Sequence, residues 1–401
     1  MLTLVIIAVT VLSLLLCAMD VLRNTSIAHS TLDSIRSCLS PPGATTGQLL
    51  TERSMANMRL VKAFNLSNTF VSNNTSTHST FVTQAHALLK RSNRLGWLHF
   101  RDLSMQAVRV ELSELNSRTQ IPYDVFIQCA TLRVILIGLL GVDASVESFA
   151  REDVVKVTSH INRLWALSKK PESIPLHLLP QLNDALRRLI PDTQAYPNPV
   201  DFVIPAWETL WRVVAIAVAY SHQDEGMLDA FLSLYRTPSV KTFAGHGARL
   251  SPKNIVDETM RLHPPSKRIG RMKTRPFCQY LPSTILELLQ RIIPNRITQK
   301  ESADVAKIQQ CADIWGSGAG QFDPSRFLCS AEPTKEQFDT LKYVFGGGPF
   351  RCIGASWAPV AVGVICSAVL TTIDGRDDLR IVQGAEIGGR DGWNEWYIER
   401  V

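Results

Sequence analysis

Eight cysteines, at positions 17, 38, 129, 278, 311, 329, 352 and 366, include no C-x-x-C pair and no zinc-like spacing. That sets aside the common dithiol and structural-zinc motifs and is compatible with a reducing compartment. No Lys/Arg-rich run with interleaved aromatics occurs, so the net charge of +6 gives nucleic-acid binding no support. No Gly/Ser linker, charge block or internal repeat divides the 401 residues, and one large domain is the simplest organisation. Strand-like segments are few and short. The clearest are Leu379 to Gln383 and Glu395 to Glu399, separated by a Gly-Gly-Arg-Asp-Gly turn at 388–392. What is present in quantity is apolar residues, 45% of the chain, many at helical spacing, as in Pro122 to Gly138 and Asp153 to Ser168.

One cysteine stands in a distinctive setting. The run Phe345-Gly346-Gly347-Gly348-Pro349-Phe350-Arg351-Cys352-Ile353-Gly354 places it at the end of a glycine-rich turn, before an apolar segment that reads as a helix. Met alone, such a residue is either a metal ligand or a buried structural thiol in a turn. A thiolate suits haem iron, glycines let backbone amides approach the sulfur, and a following helix start puts partial positive charge beside the anion.

The run resembles the haem-binding signature of the cytochrome P-450 family, with Phe345, Gly348, Cys352 and Gly354 in register. The resemblance implies that Cys352 is the axial iron ligand. The basic residue expected two positions before the cysteine is Phe350 here, and the nearest cation is Arg351. This departure weakens one contact to a haem propionate.

Two further segments extend the resemblance. Glu258 and Arg261 stand three apart on a helix face that Pro264-Pro265 terminates. By itself this is a common exposed ion pair, but the sequence is similar to the family's Glu-x-x-Arg helix, whose buried pair is completed by a later arginine. Arg326, in Phe322-Asp323-Pro324-Ser325-Arg326-Phe327, fits that place, and the three are read as structural. Upstream, Val200 to Tyr220 is long and apolar enough for a central helix, and Pro205-Ala206-Trp207-Glu208-Thr209 within it resembles the family's oxygen-activating helix. The resemblance implies that Glu208 relays protons and that the Thr209 hydroxyl faces bound O₂, against the alternative of an ordinary solvated Glu-Thr pair. Pro205 departs from the pattern and predicts a kink.

The N-terminal half carries less of the pattern. Leu66 to Leu89 looks like the approach to the family's third helix, with His78, Lys90 and Arg91 as candidate propionate contacts. Leu2 to Met19 is uncharged, which is the lower length for a membrane span. A cleaved signal peptide is the alternative, although no basic leader or clean Ala-x-Ala site is present. With Arg23 and Arg36 following, the positive-inside rule keeps the rest of the chain cytosolic. The expectation is an endoplasmic-reticulum anchor over 1–22 and a haem-thiolate domain over 23–401, its haem-binding half at about 198–401. Sequons beginning at Asn24, Asn65, Asn73 and Asn74 argue the other way on location.

The fold class so implied is mainly α with small β-sheets (α+β), the cytochrome P-450 fold. The implied activity is a monooxygenase acting on a lipophilic small molecule, in the style of fungal members that tailor secondary metabolites such as terpenoids. Electrons would come from an NADPH-dependent flavoprotein reductase, steered by a cationic face that includes Arg351 and Lys342. Two rivals stay open: a reductase-independent haem-thiolate isomerase or peroxygenase, and a degenerate non-catalytic membrane-bound interaction protein.

Overall fold

Apolar stripes at helical spacing must be buried against one another, and here they assemble a mainly helical body with two small sheets. The computed structural model describes residues 26–245, 249–275, 278, 284, 297–328 and 333–401; the expected anchor lies outside them. In chain order the elements are β1 (Ile27–His29), α1 (Leu32–Leu39), α2 (Thr46–Ala56), α3 (Met58–Phe64), α4 (Thr75–Leu112), β2 (Gln120–Pro122), α5 (Tyr123–Gly138), α6 (Arg151–Leu167) and α7 (Leu178–Leu189). They continue with α8 (Val200–Trp207), α9 (Leu210–Ser221), α10 (Glu225–Arg236), α11 (Val240–Ala244), α12 (Pro252–Leu262), β3 (Arg268–Thr274), β4 (Thr298–Asp304), α13 (Val305–Gln309), α14 (Ala312–Trp315), α15 (Lys335–Leu341), α16 (Ala358–Asp374), β5 (Leu379–Val382) and β6 (Tyr397–Arg400).

Helices α5, α9 and α16 are buried on nearly every side and form the centre, with α4, α10 and α12 packed around them. One sheet runs β1-β4-β3, with Ile27 beside Glu301 in parallel and Arg268 opposite Asp304 antiparallel. The other runs β2-β6-β5, with Ile121 opposite Ile398 and Ile381 opposite the same residue on the far side. The late strands read from sequence are present, the second shifted to Tyr397–Arg400 because the turn at 388–392 is followed by a further loop through Glu395.

Helix ends follow their local chemistry. Ser251 and Asn254 form a reciprocal cap with Pro252 in the first turn of α12, and the helix stops at Leu262 before Pro264. Gly96, at φ 83°, breaks the long α4 where no other residue is comfortable.

The central stretch from Val200 is not one helix. It divides at Glu208 and Thr209 into α8 and α9. Pro205 has no N–H for the carbonyl of Asp201, and that carbonyl instead accepts from the Asn68 side chain at 2.8 Å. The Glu208 carbonyl accepts from Arg212 Nε at 3.2 Å, while the Val213 N–H reaches the Thr209 carbonyl only at 3.5 Å. The stretch is long and apolar enough to cross a membrane, yet it is packed inside the protein.

Candidate functional site

The glycine-rich run folds into two short 3-10 turns, Lys342–Phe345 and Gly348–Phe350, that deliver Cys352 to the end of a loop. The Cys352 N–H donates to the Phe345 carbonyl at 2.8 Å and closes that loop. Gly348 (φ 63°) lies so close to the end of α1 that a Cβ would fall 2.7 Å from Cβ of Ser40. The glycines are therefore demanded by turn geometry and by close packing.

The Cys352 thiol is open to solvent on one side and enclosed by protein at longer range. The enclosure pushes its pKa up, opposed by the Gly354 N–H directed at the sulfur and by the charge of Arg351. A thiolate here thus needs a cation to hold it, and a backbone donor is already in place. Contrary to the expectation that the next helix starts beside the sulfur, regular helix begins only at Ala358, after turns closed by Ala355 N–H on the Cys352 carbonyl and Trp357 N–H on the Gly354 carbonyl. Its positive end is set back from the thiol, and the Gly354 amide does the local work.

The Glu258 carboxylate and Arg261 guanidinium are fully buried and form a two-pronged pair at 2.6 and 2.8 Å. Arg261 also donates to the carbonyls of Gln309 and Ala319, both at 2.7 Å, and of Gln321 at 3.1 Å. Arg326 Nε reaches Glu258 at 3.1 Å, and the Asp323 N–H donates to the same oxygen at 2.8 Å. All three residues named from sequence meet in one network.

At the break between α8 and α9 the Glu208 carboxylate is 2% exposed and bound by two guanidiniums, Arg212 at 3.0 Å and Arg390. Arg390 is also hydrogen-bonded to Asn162 at 3.2 Å and lies 4.7 Å from the Trp165 ring. Burial pulls the Arg390 pKa down to about 10, with Glu208 opposing the fall. Arg212 ties the same cluster to the Pro265 carbonyl at 3.0 Å, in the segment that follows α12. The neighbouring Thr209 side chain is half-buried and hydrogen-bonds to nothing among the described residues. No contact joins Glu208 or Thr209 to Cys352 directly. Their elements are adjacent, since α9 packs on α16 and the Cys366 thiol lies 3.8 Å from the Val214 carbonyl.

Of the three candidates on α4, His78 meets the Phe350 ring of the cysteine loop edge-on at 5.2 Å. Lys90 lines a groove, and the Arg91 guanidinium rests against Gly141. Arg351 is exposed, and Lys342 pairs with Asp339 at 2.7 Å. The sequence reading missed Arg53 on α2. Its guanidinium centres 4.0 Å over Phe350, is 7% exposed, and has an Nε without a partner among the described residues. Burial and the nearby Arg271 lower its pKa to about 9. Arg271 on β3, 2% exposed, likewise has a buried Nε without a partner. The signal available in sequence was the gap itself, an aromatic where a cation belonged.

These observations test whether a haem fits. A porphyrin held at Cys352 brings two carboxylates, and one buried guanidinium, Arg53, with an Nε unpartnered among the described residues, stands at Phe350, two residues from the thiol. The donor set suits an iron porphyrin: one soft thiol, and a cation beside its loop for an acid group.

No family model matches the chain. The cytokinin hydroxylase of Arabidopsis thaliana is 25% identical over 121 residues, which is 30% of this chain and 21% of that protein, so only about a fifth of the relative is matched. The crystal structure of a cytochrome P-450 (CYP102L1) superimposes with a TM-score of 0.55 at 13% identity, over 86% of each chain. With its helical body, two small sheets and cysteine loop in this order, the chain has the cytochrome P-450 fold.

Proposed function

We propose that this protein is a haem-thiolate monooxygenase that inserts one oxygen atom of O₂ into a lipophilic small molecule, with Cys352 as the axial ligand. The observation that carries the reading is the cysteine loop itself, which the Cys352 N–H closes on the Phe345 carbonyl and which presents an exposed Cys352 on the cytochrome P-450 fold. The matched relative's name, a hydroxylase, agrees with it.

The bound haem would supply oxygen activation, with the thiolate donating electron density to iron. The protein's part is to hold Cys352 as an anion through Gly354 and Arg351, and to keep Glu208 and Thr209 at a loosened helix turn. Thr209, with a hydroxyl free of partners among the described residues, can orient a proton donor. Glu208 can pass a proton only by leaving one of its arginines, so Arg212 and Arg390 set how readily it moves. We assign the pocket lining to the segment Pro264 to Ile269, which Arg212 tethers through the Pro265 carbonyl.

For the electron donor we favour an acidic NADPH-dependent flavoprotein reductase. A groove of about 420 Å³ beside the cysteine loop is lined by His86, Lys90 and Arg94 together with Ile353, Ser356 and Trp357, and by no carboxylate among the described residues. We further assign residues 1–22 to an anchor in the endoplasmic-reticulum membrane. The substrate class, fungal secondary metabolites such as terpenoids, rests on the style of Ala206 to Arg212 and of the Gly-Gly-Arg-Asp-Gly-Trp ending.

The test is the carbon monoxide difference spectrum of the reduced full chain in microsomes. A strongly red-shifted Soret band that disappears in Cys352→Ser is expected; a band unchanged by that substitution removes Cys352 as ligand. Product formation from peroxide or without NADPH and reductase would favour the isomerase or peroxygenase alternative.

A further inference from the structure

The cysteine loop carries a ring where the resembled signature carries a cation, and a different element brings a cation to that ring. The Arg53 guanidinium carbon is 4.0 Å from the Phe350 centroid, and His78 meets the same ring edge-on at 5.2 Å. Thr69 holds both, accepting from Arg53 Nη2 at 2.5 Å through its hydroxyl and meeting His78 Nδ1 at 2.7 Å. The Thr69 carbonyl accepts from the same Arg53 nitrogen. Arg53 is thus fixed in position while its Nε is left without a partner among the described residues.

Among the described residues Arg53 is hydrogen-bonded to no carboxylate, and the like charge of Arg271 acts on it. Glu52, next to it in sequence, feels the charges of Lys273 and Arg271, and its buried Oε2 has no hydrogen-bond partner among the described residues. A buried guanidinium beside another cation, with a donor unpaired among the described residues and no carboxylate bonded to it, is arranged for an anion that arrives from outside the chain.

We propose that Arg53 is the docking cation for a carboxylate on the edge of the haem, replacing from α2 the charge that Phe350 removes from the cysteine loop, and that Phe350 is the positioning residue that holds Arg53 there. This inference rests on the haem-thiolate reading. It makes the departure at position 350 one half of an exchange: the loop loses a cation and gains a platform for one.

The experiment measures the rate at which haem leaves the full-length protein for an excess of apomyoglobin, using haem and its dimethyl ester, which lacks the acid groups. Arg53→Leu is expected to speed loss of haem by about tenfold to a hundredfold, the range for one charge-assisted hydrogen bond. Arg53→Lys should fall between, and Arg53→Leu should add nothing to the loss of the ester. Phe350→Leu should shift release part of the way, and Phe350→Tyr should restore it. In Arg53→Leu/Phe350→Arg, retention of haem should recover toward that of the parent. Equal acceleration with haem and ester makes Arg53 a residue of the fold alone and overturns the proposal, as does unchanged release from Arg53→Leu. A parent with the red-shifted carbon monoxide band and no Arg53 effect overturns only this inference. A parent that takes up no haem overturns the reading beneath it as well.

Discussion

A single imidazole illustrates how burial fixes a protonation state. His263, at the end of α12, sits with its Nε2 2.9 Å from the Tyr220 hydroxyl, and Phe322 stacks on Tyr220 at 3.7 Å. Burial, then Lys267 and Arg261, lower its pKa from 6.5 to about 4. The neutral ring therefore accepts the tyrosine proton, and protonation would remove that acceptor. The unfolded chain binds this proton first as pH falls, so the contribution of His263 to stability is complete above about pH 6.5 and is lost on the way down to about 4. His78 and His222 are shifted in the same direction by burial and add to the slope. The expectation is a urea midpoint that falls between pH 7 and pH 5, with the fall reduced by the share of one proton in His263→Gln. An identical pH slope in that variant would mean that His263 is not held neutral.

At the scale of elements, the interruption between α8 and α9 shows a proline effect distributed over a neighbour. Pro205 removes one helical donor, and Asn68 supplies another to the stranded Asp201 carbonyl, while the Asp201 carboxylate accepts the N–H groups of Ser67 and Asn68 at 2.9 and 3.2 Å. The loop before α4 is thereby fastened to the start of the central helix. Asn68→Ala should cost about 1–3 kcal/mol, since it leaves a buried carbonyl unpaired. In a Pro205→Ala background the residue at 205 again has an N–H for Asp201, and the same substitution should cost at least about 1 kcal/mol less. Denaturant titration of the four proteins of this cycle gives the coupling. A coupling of zero would mean that Asn68 is not compensating for the proline. The kink was legible in the sequence because a proline inside an apolar run has one mechanical meaning. Its partner was not, because Asn68 lies more than a hundred residues earlier and side-chain amides carry no pattern. The roles of Arg53 and Arg390 escaped notice for the same reason: an arginine's role is set by what it meets across the fold, and neither the helix around Arg53 nor the Gly-Gly-Arg-Asp-Gly turn around Arg390 names a partner. Cys352, Glu258 and Arg261 were legible because each is defined by neighbours within one turn or one loop.

The whole molecule depends on how the segment from Gln309 to Phe327 is attached to the helical core, and the attachment is the ion pair on α12. Glu258 is the common acceptor for Arg261, Arg326 and the Asp323 amide, while Arg261 spends its remaining donors on carbonyls at 309, 319 and 321. A pair at this depth contributes little net energy relative to an apolar pair of the same size, because removing two charges from water offsets their attraction. Breaking it is another matter. Glu258→Gln leaves two guanidiniums facing an uncharged amide, and should cost about 3–5 kcal/mol in denaturant titration. Because the loss falls on the clamp, amide hydrogen exchange should quicken first between Gln309 and Phe327, ahead of α5 and α16 in the centre. Glu258→Leu/Arg261→Met should cost less than Glu258→Gln alone, since it removes the buried charges of the pair together. If the double variant were instead the less stable protein, the network would be a source of stability in its own right, and the segment's carbonyls, which need Arg261 as donor, would be its main beneficiaries.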